Sequence, residues 1–120
     1  MTVKSYRELI VWQKSMTVVT KVYGLVKKLP REELYALSDQ MRRCVVSIPS
    51  NIAEGQQRNS GTEFARFISI AQGSRAELET QLLACVAIGY LTEDEIEETM
   101  TLLTEINMML SSLVKTLTTK

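Results

Sequence analysis

Apolar residues recur every three or four positions along four consecutive segments of this chain, and this helical periodicity is the feature that most limits its fold. Two neighbouring apolar stripes share the first segment: Leu9, Trp12, Met16, Val19, Tyr23 and Val26 in one, and Val11, Val18, Val22 and Leu25 in the other. Single seams follow at residues 34–52, 64–86 and 96–117. Only 5 Gly and 2 Pro occur in 120 residues, too few turn residues for an all-β fold. The pattern therefore predicts an all-α protein.

Sequence signals also mark where the helices begin and end. Ser5, Ser60 and Thr92 each precede a Glu by three positions, which is the S/T-x-x-E pattern of a capping box. Pro30 is expected to end the first helix, and Gly89 suits the left-handed position after the third. These signals predict helices over about residues 6–29, 32–58, 61–88 and 93–117. Since the connections are short, we predict a single domain over residues 1–120, an antiparallel up-down-up-down four-helix bundle.

The first helix has more apolar surface than a helix in a monomeric bundle requires, because its two stripes lie side by side. Such a helix is either deeply buried in its own bundle or in contact with another subunit. Both interpretations are open at this point.

The chain contains no His, and this absence removes several classes of active site. It excludes a Ser-His or Cys-His nucleophile pair, a His general base, and zinc or di-iron sites that use His. Cys44 and Cys85 lack metal-ligand spacing and stand among apolar residues, so they are predicted to be buried free thiols. Glu77 and Glu79 are two positions apart and cannot share a helical face. We therefore predict no enzymatic activity, no metal or other cofactor, and no small-molecule substrate.

The stretch SIPSNIAEG at residues 47–55 is not explained by helix periodicity alone. Pro49 has no backbone N–H and is expected to kink the second helix, with a neighbouring Ser or Asn side chain bonding the freed backbone groups. Two interpretations are open. The kink lets the helix wrap around its neighbours, or Ser50, Asn51 and Glu54 form a docking surface.

Glycines in the chain are isolated and form no phosphate-binding loop. Gly73 falls in the middle of the third predicted helix. It is expected to permit the close approach of another helix.

Charge is distributed unevenly along the chain although it sums to zero. Residues 1–60 carry ten basic and five acidic side chains, a balance of +5, whereas residues 61–120 carry four basic and nine acidic ones, a balance of −5. One interpretation is complementarity between helices or between subunits. The other is a nucleic-acid surface that contacts phosphates through Arg42, Arg43, Arg58 and Arg66.

No basic-then-apolar targeting signal opens the chain, and no window approaches the length of a membrane span. We expect a cytoplasmic protein that does not act at a membrane.

Several motifs stand in order at spacings compatible with one bundle: Trp12-Gln13-Lys14, Gln40-Met41-Arg42-Arg43, SIPSNIAEG at 47–55, Glu63-Phe64-x-Arg66-Phe67, residues 73–81, and Gly89-Tyr90-Leu91. On these motifs the chain resembles the four-helix-bundle proteins encoded in bacterial 23S rRNA intervening sequences. The resemblance implies a homopentameric ring and a family with no established enzymatic activity. It gives motif positions to Arg42, Arg43, Ser50, Asn51, Glu54, Arg66, Glu77 and Glu79.

A related branch of that family serves as the accessory protein of diversity-generating retroelements, in which a basic pentamer associates with a reverse transcriptase and nucleic acid. This chain differs from that branch in being neutral overall. Our leading hypothesis is a non-catalytic, oligomeric binding or scaffold protein. The alternative is an RNA- or DNA-binding accessory protein, for example a partner of a reverse transcriptase.

Overall fold

The fold, as given by a computed structural model that describes residues 5–118, consists of four helices. They are α1 (Ile10–Val26), α2 (Leu37–Gln56), α3 (Gly61–Ile88) and α4 (Glu93–Thr118), with short 3-10 turns at Tyr6–Glu8 and Arg31–Glu33. Each helix packs against the next in the chain and α4 packs against α1, so α1 lies diagonal to α3 and α2 to α4. The described residues measure 48 × 24 × 20 Å and contain no strand. The predicted all-α four-helix bundle is confirmed.

The hydrophobic core runs the length of the bundle along the inner faces of all four helices. Its largest fully buried side chains are Met41, Ile48, Ile52, Ile68, Leu78, Leu82, Leu103, Ile106 and Leu110. Each contributes about 1.5–3 kcal/mol through removal of its apolar surface from water. Cys44 and Cys85 are free thiols buried in the same core, as predicted.

The two apolar stripes of α1 enter this core unequally. Val11, Val18, Val22 and Leu25 are all buried. In the stripe that begins at Leu9 and Trp12, Val26 is buried, whereas Met16 and Tyr23 are exposed at the edge of the bundle. Helix periodicity identified both stripes but not which of them faces inward.

The first two helices are shorter than the predicted ranges of 6–29 and 32–58. Leu9 has an extended backbone (φ −74°, ψ 123°), so Ser5 caps only the 3-10 turn that precedes α1. Ala36 (φ −121°, ψ −104°) likewise separates the second 3-10 turn from α2. Residues 27–36 therefore form a longer connection than the sequence pattern suggests.

Helices α3 and α4 begin and end within one residue of the predicted ranges. The Ser60 hydroxyl accepts a hydrogen bond from the Glu63 backbone N–H at 3.2 Å. At the start of α4 both halves of the capping box form, because Thr92 Oγ1 accepts from the Glu95 N–H and Glu95 Oε1 accepts from the Thr92 N–H. Gly89 adopts the left-handed conformation (φ +96°) that ends α3. Residues 1–4, 119 and 120 lie outside the described part.

Helix α2 continues from Leu37 to Gln56 through Pro49, which is buried. The Val45 carbonyl has no N–H partner one turn later, because residue 49 is a proline. The Asn51 amide does not replace that partner, since it donates to the carbonyl of Ser47 at 2.7 Å. The kink at Pro49 stays a prediction.

The prediction that Gly73 permits close helix packing is wrong. A Cβ placed on Gly73 would meet no atom of the described residues within 4 Å beyond its own helix backbone and chain neighbours. The close approach lies instead at Gly55, where α2 crosses Phe64 and Phe67 of α3.

Candidate interaction surface

Two apolar grooves lie on the outside of the bundle between α1 and α2, and together we call them the α1–α2 strip. Its first half, the N-terminal groove, encloses about 300 Å³ and is lined by Tyr6, Trp12, Met16, Val19, Val46, Pro49, Ser50 and Ala53. The rings of Tyr6 and Trp12 pack edge to face with their centroids 5.3 Å apart. Met16 and Val46 remain 41% and 40% exposed. The strip is therefore accessible to another molecule.

The second half of the strip lies beside the connection between α1 and α2, and we call it the loop-end groove. It encloses about 370 Å³ and is lined by Tyr23, Val26, Lys27, Leu29, Pro30, Arg31, Leu34, Ser38 and Arg42. Arg42 Nη2 donates to the carbonyl of Leu34 at 3.2 Å, which holds the guanidinium along the groove. This groove combines apolar walls with positive charge.

The cations of the loop-end groove differ from other cations of the bundle in having no carboxylate partner in the described part of the chain. Lys27, Arg31 and Arg42 have no ion-pair partner among residues 5–118. Lys14 and Lys28, by contrast, pair with carboxylates of α4 at 2.8 Å. The groove therefore presents positive charge that the rest of the described chain does not neutralise.

Three lysines spaced seven residues apart, two in α1 and one just after its end, pair with three glutamates of α4: Lys14 with Glu105, Lys21 with Glu98, and Lys28 with Glu95. The hydrogen bond from Lys28, with the N-cap contacts to Thr92, lowers the pKa of Glu95. Charge complementarity between helices thus exists inside one chain, and it accounts for part of the uneven charge distribution.

The four arginines predicted to contact phosphates fall into two separate groups. Arg58 and Arg66 both lie over the Phe67 ring, with their guanidinium carbons 4.9 and 4.6 Å from its centroid. Arg42 and Arg43 lie along α2 about 20 Å away, from the helical rise of 1.5 Å per residue.

Three of these arginines are already paired with carboxylates of their own helical turn. Arg43 binds Asp39, Arg58 binds Glu54 and Arg66 binds Glu63, at 3.0 to 3.1 Å. The bond to Arg66 lowers the pKa of Glu63. Arg42 is the member of the set that has no carboxylate partner in the described part of the chain.

The residues of the SIPSNIAEG motif have mainly structural contacts. The hydroxyl oxygens of Ser47 and Ser74 lie 2.6 Å apart and join α2 to α3. Asn51 bonds within its own helix and Glu54 pairs with Arg58. Ser50 is exposed and lines the N-terminal groove together with Pro49 and Ala53 of the same motif.

Glu77 and Glu79 of α3 have different surroundings. Glu79 pairs with Arg75, whose Nε donates to Gln72 at 2.7 Å. Glu77 is exposed beside Cys44, and burial of that thiol, reinforced by the charge of Glu77, raises the pKa of Cys44 to about 12. The protonated form of Cys44 is unreactive towards electrophiles.

In the portion of the chain that the structure covers, no cluster of three or more His, Cys, Asp and Glu side chains has the arrangement of a metal site. None of the described helices combines the length and the apolar character that crossing a bilayer requires.

The sequence of this bundle matches that of a known protein family. The sequence profile of the 23S rRNA-intervening sequence proteins matches residues 7–112, which include all of α1, α2 and α3 and most of α4. The chain belongs to the 23S rRNA-intervening sequence protein family. No curated protein matches it at a significant level.

This family member is also similar to a solved structure, the crystal structure of a protein of unknown function from the S23 ribosomal protein family of Bacteroides thetaiotaomicron. The two share 31% sequence identity with a TM-score of 0.81, over 88% of this chain and 99% of the other. The family and its solved relative indicate no catalytic class.

The loop-end groove of this 23S rRNA-intervening sequence protein was not predicted from its sequence. The predicted helices 6–29 and 32–58 place Lys27 and Arg42 in different helices and Arg31 between them. The sequence did contain one signal for this groove. The exposed stripe of α1 reaches Tyr23, and Lys27, one turn further on, leads directly into a connection that contains a proline.

Proposed function

We propose that this protein is a non-catalytic subunit of a homo-oligomer that acts as a binding or scaffold module, and that the α1–α2 strip is its assembly surface. The observation that supports this proposal is the apolar stripe of α1 that contains Met16 and Tyr23. The other stripe already contributes Val11, Val18, Val22 and Leu25 to the core, yet Met16 and Tyr23 each remain 41% exposed at the strip. Contiguous exposed apolar surface of this kind marks interaction sites.

The resemblance to the family suggests five subunits in a closed ring. A cyclic assembly uses two different surfaces of each subunit, because the face of one subunit meets another face of the next. This arrangement fits a bundle whose apolar strip lies on one side only. We place the assembly in the cytoplasm, and we propose no enzymatic activity, cofactor or small-molecule substrate for it.

The assembly is tested by measuring its mass with light scattering after size-exclusion chromatography at micromolar concentration. We expect the wild-type protein to have the mass of several subunits. Met16→Glu places a charge in the N-terminal groove and is expected to shift the protein to monomer. Thr17→Glu is the matched control, since Thr17 is exposed on the same helix and lines neither groove.

A monomeric wild-type protein would contradict the proposal. Equal masses for both variants and the wild type would show that the strip is not the assembly surface. Circular dichroism of each variant separates loss of assembly from loss of folding.

A second candidate function is binding of RNA or DNA, and the convergence of Arg58 and Arg66 on Phe67 is the observation that favours it. Each of these guanidiniums shares its charge with a glutamate of its own turn, which weakens the attraction for phosphate. Nucleic-acid binding through this pair predicts an affinity that falls steeply with salt. Arg58→Ala with Arg66→Ala is expected to reduce it, and Arg42→Ala with Arg43→Ala tests the other group. Binding that is unaffected by salt and by both variants would exclude this function.

A further inference from the structure

The loop-end groove has apolar walls and cations that lack partners, so an occupant of this groove needs both apolar and negatively charged groups. Tyr23 and Leu34 are 41% and 40% exposed there. Lys27, Arg31 and Arg42 line the same space without an ion pair in the described chain. An acidic, partly apolar helix face satisfies this combination.

The outer side of α4 has that composition. Its residues Glu93, Glu97, Thr101, Thr104 and Met108 follow one another at spacings of three and four, are all exposed, and form what we call the outer α4 stripe. Glu93 and Glu97 have no ion-pair partner within residues 5–118. Met108 is 66% exposed. The stripe is therefore acidic at its beginning and exposes a methionine at its last position.

The two surfaces lie at matching heights in the bundle. The connection from α1 to α2 and the start of α4 occupy the same end, as the pairing of Lys28 with Glu95 shows. Measured from this end of the bundle, Met16 lies eleven residues beyond Lys27, and Met108 lies eleven residues beyond Glu97. Both separations correspond to about 16 Å. When two bundles stand side by side in the same orientation, the cations of the loop-end groove face Glu93 and Glu97, and the apolar N-terminal groove faces Met108.

We infer that the α1–α2 strip of one subunit receives the outer α4 stripe of a second copy of this chain, with Lys27 and Arg31 meeting Glu93 and Glu97 of that copy in the loop-end groove. The inference rests on the proposed oligomer and names its two surfaces. Repeating this contact from subunit to subunit keeps all bundles in one orientation, which is the requirement for a closed ring.

Carboxylates of the same chain do not occupy the groove. Among the described residues that line it there is no Asp or Glu, and Glu33 instead accepts a hydrogen bond from the Tyr90 hydroxyl at 2.9 Å. Asp39 pairs with Arg43. The groove thus stays available to the carboxylates of a neighbouring copy.

Charge reversal tests this contact directly. The groove variant carries Lys27→Glu and Arg31→Glu, and the stripe variant carries Glu93→Lys and Glu97→Lys, all at exposed positions. We expect each variant to weaken assembly by about tenfold or more, measured as the dissociation constant at low salt. The variant that combines all four changes is expected to assemble nearly as well as the wild type. It serves as the matched control, because it contains every substitution and restores the net charge.

The outcomes separate this inference from the proposed function. Weak assembly of the combined variant, or unchanged assembly of both two-site variants, would overturn the contact while the oligomer itself stands. A monomeric wild type would refute the oligomer. If a reversed variant does not fold, the neutral pairs Lys27→Gln with Arg31→Gln and Glu93→Gln with Glu97→Gln provide a double-mutant cycle, and additive effects in it would equally overturn the contact.

Discussion

The backbone of Gly55 approaches α3 so closely that a Cβ on it would lie 2.7 Å from the Cβ of Phe67 and 3.0 Å from Cδ1 of Phe64. Real Cβ atoms do not come this near to one another, so the hydrogen side chain of glycine is what allows α2 and α3 to pack here. The last residue of the SIPSNIAEG motif therefore has a steric role in the packing of the two helices.

Gly55→Ala is expected to destabilise the protein by about 1–3 kcal/mol, because the added methyl group forces α2 away from α3. Chemical denaturation followed by circular dichroism measures the change. Gly73→Ala is the matched control within α3, where the added methyl meets open space, and it is expected to raise stability by up to about 1 kcal/mol through helix propensity. Equal effects of the two substitutions would show that helix propensity, and not packing, governs Gly55.

The Asn51 side chain has a structural role that can be distinguished from a docking role. Its amide, two residues after Pro49, donates to the carbonyl of Ser47, two residues before that proline, at 2.7 Å. Asn51→Ala is expected to cost about 1 kcal/mol of unfolding free energy, the usual net value of one hydrogen bond. Ser50→Ala removes an exposed neighbour and is expected to leave stability unchanged. A stable Asn51→Ala protein would indicate that this residue is available for a partner instead.

Helices α3 and α4 could be predicted closely from the sequence because their ends are encoded locally. Ser60, Thr92 and Gly89 each form their contact within four residues, so the relevant atoms are neighbours in the chain. The start of α1 could not be predicted in this way. Ser5 has the same capping pattern, but the extended backbone at Leu9 interrupts the helix after one turn.

The candidate site was less predictable because it depends on tertiary packing. Both stripes of α1 are equally apolar in sequence, and only the position of the other helices decides that Val18 is buried and Met16 exposed. Whether an arginine is free to bind a phosphate also depends on its partners in the fold. The sequence alone predicts Arg58 and Arg66 as phosphate contacts, whereas each is paired with a glutamate in the fold.

The contribution of Glu95 to stability is expected to depend on pH. Its pKa is lowered in the folded protein by the bond from Lys28, so it stabilises the fold above its ordinary pKa of 4.5 and loses this effect as the pH falls through the lower folded value. Glu95→Gln preserves a capping side chain but not the charge. We expect the melting temperature of this variant to fall less between about pH 6 and pH 3 than that of the wild type. Asp94→Asn is the control, because Asp94 is exposed in the same first turn of α4, lies outside the outer α4 stripe and has no ion pair in the described residues. An identical pH profile for all three proteins would contradict a role for the Lys28 bond.

Cys44 is expected to resist alkylation in the folded protein, and Glu77 is expected to contribute to this resistance. Burial raises the pKa of Cys44 to about 12, with the nearby charge of Glu77 as the second cause. Glu77→Gln should therefore increase the rate of Cys44 modification by iodoacetamide only a few-fold, since burial persists, and should leave the rate at the fully buried Cys85 unchanged. Peptide-resolved mass spectrometry at about pH 8.5 measures both rates in one sample. Glu79→Gln is the control, because Glu79 pairs with Arg75 and is not among the causes of the raised pKa of Cys44. A Cys44 that reacts as fast as a free thiol in the wild type would show that the folded core does not hold this side chain in its protonated form.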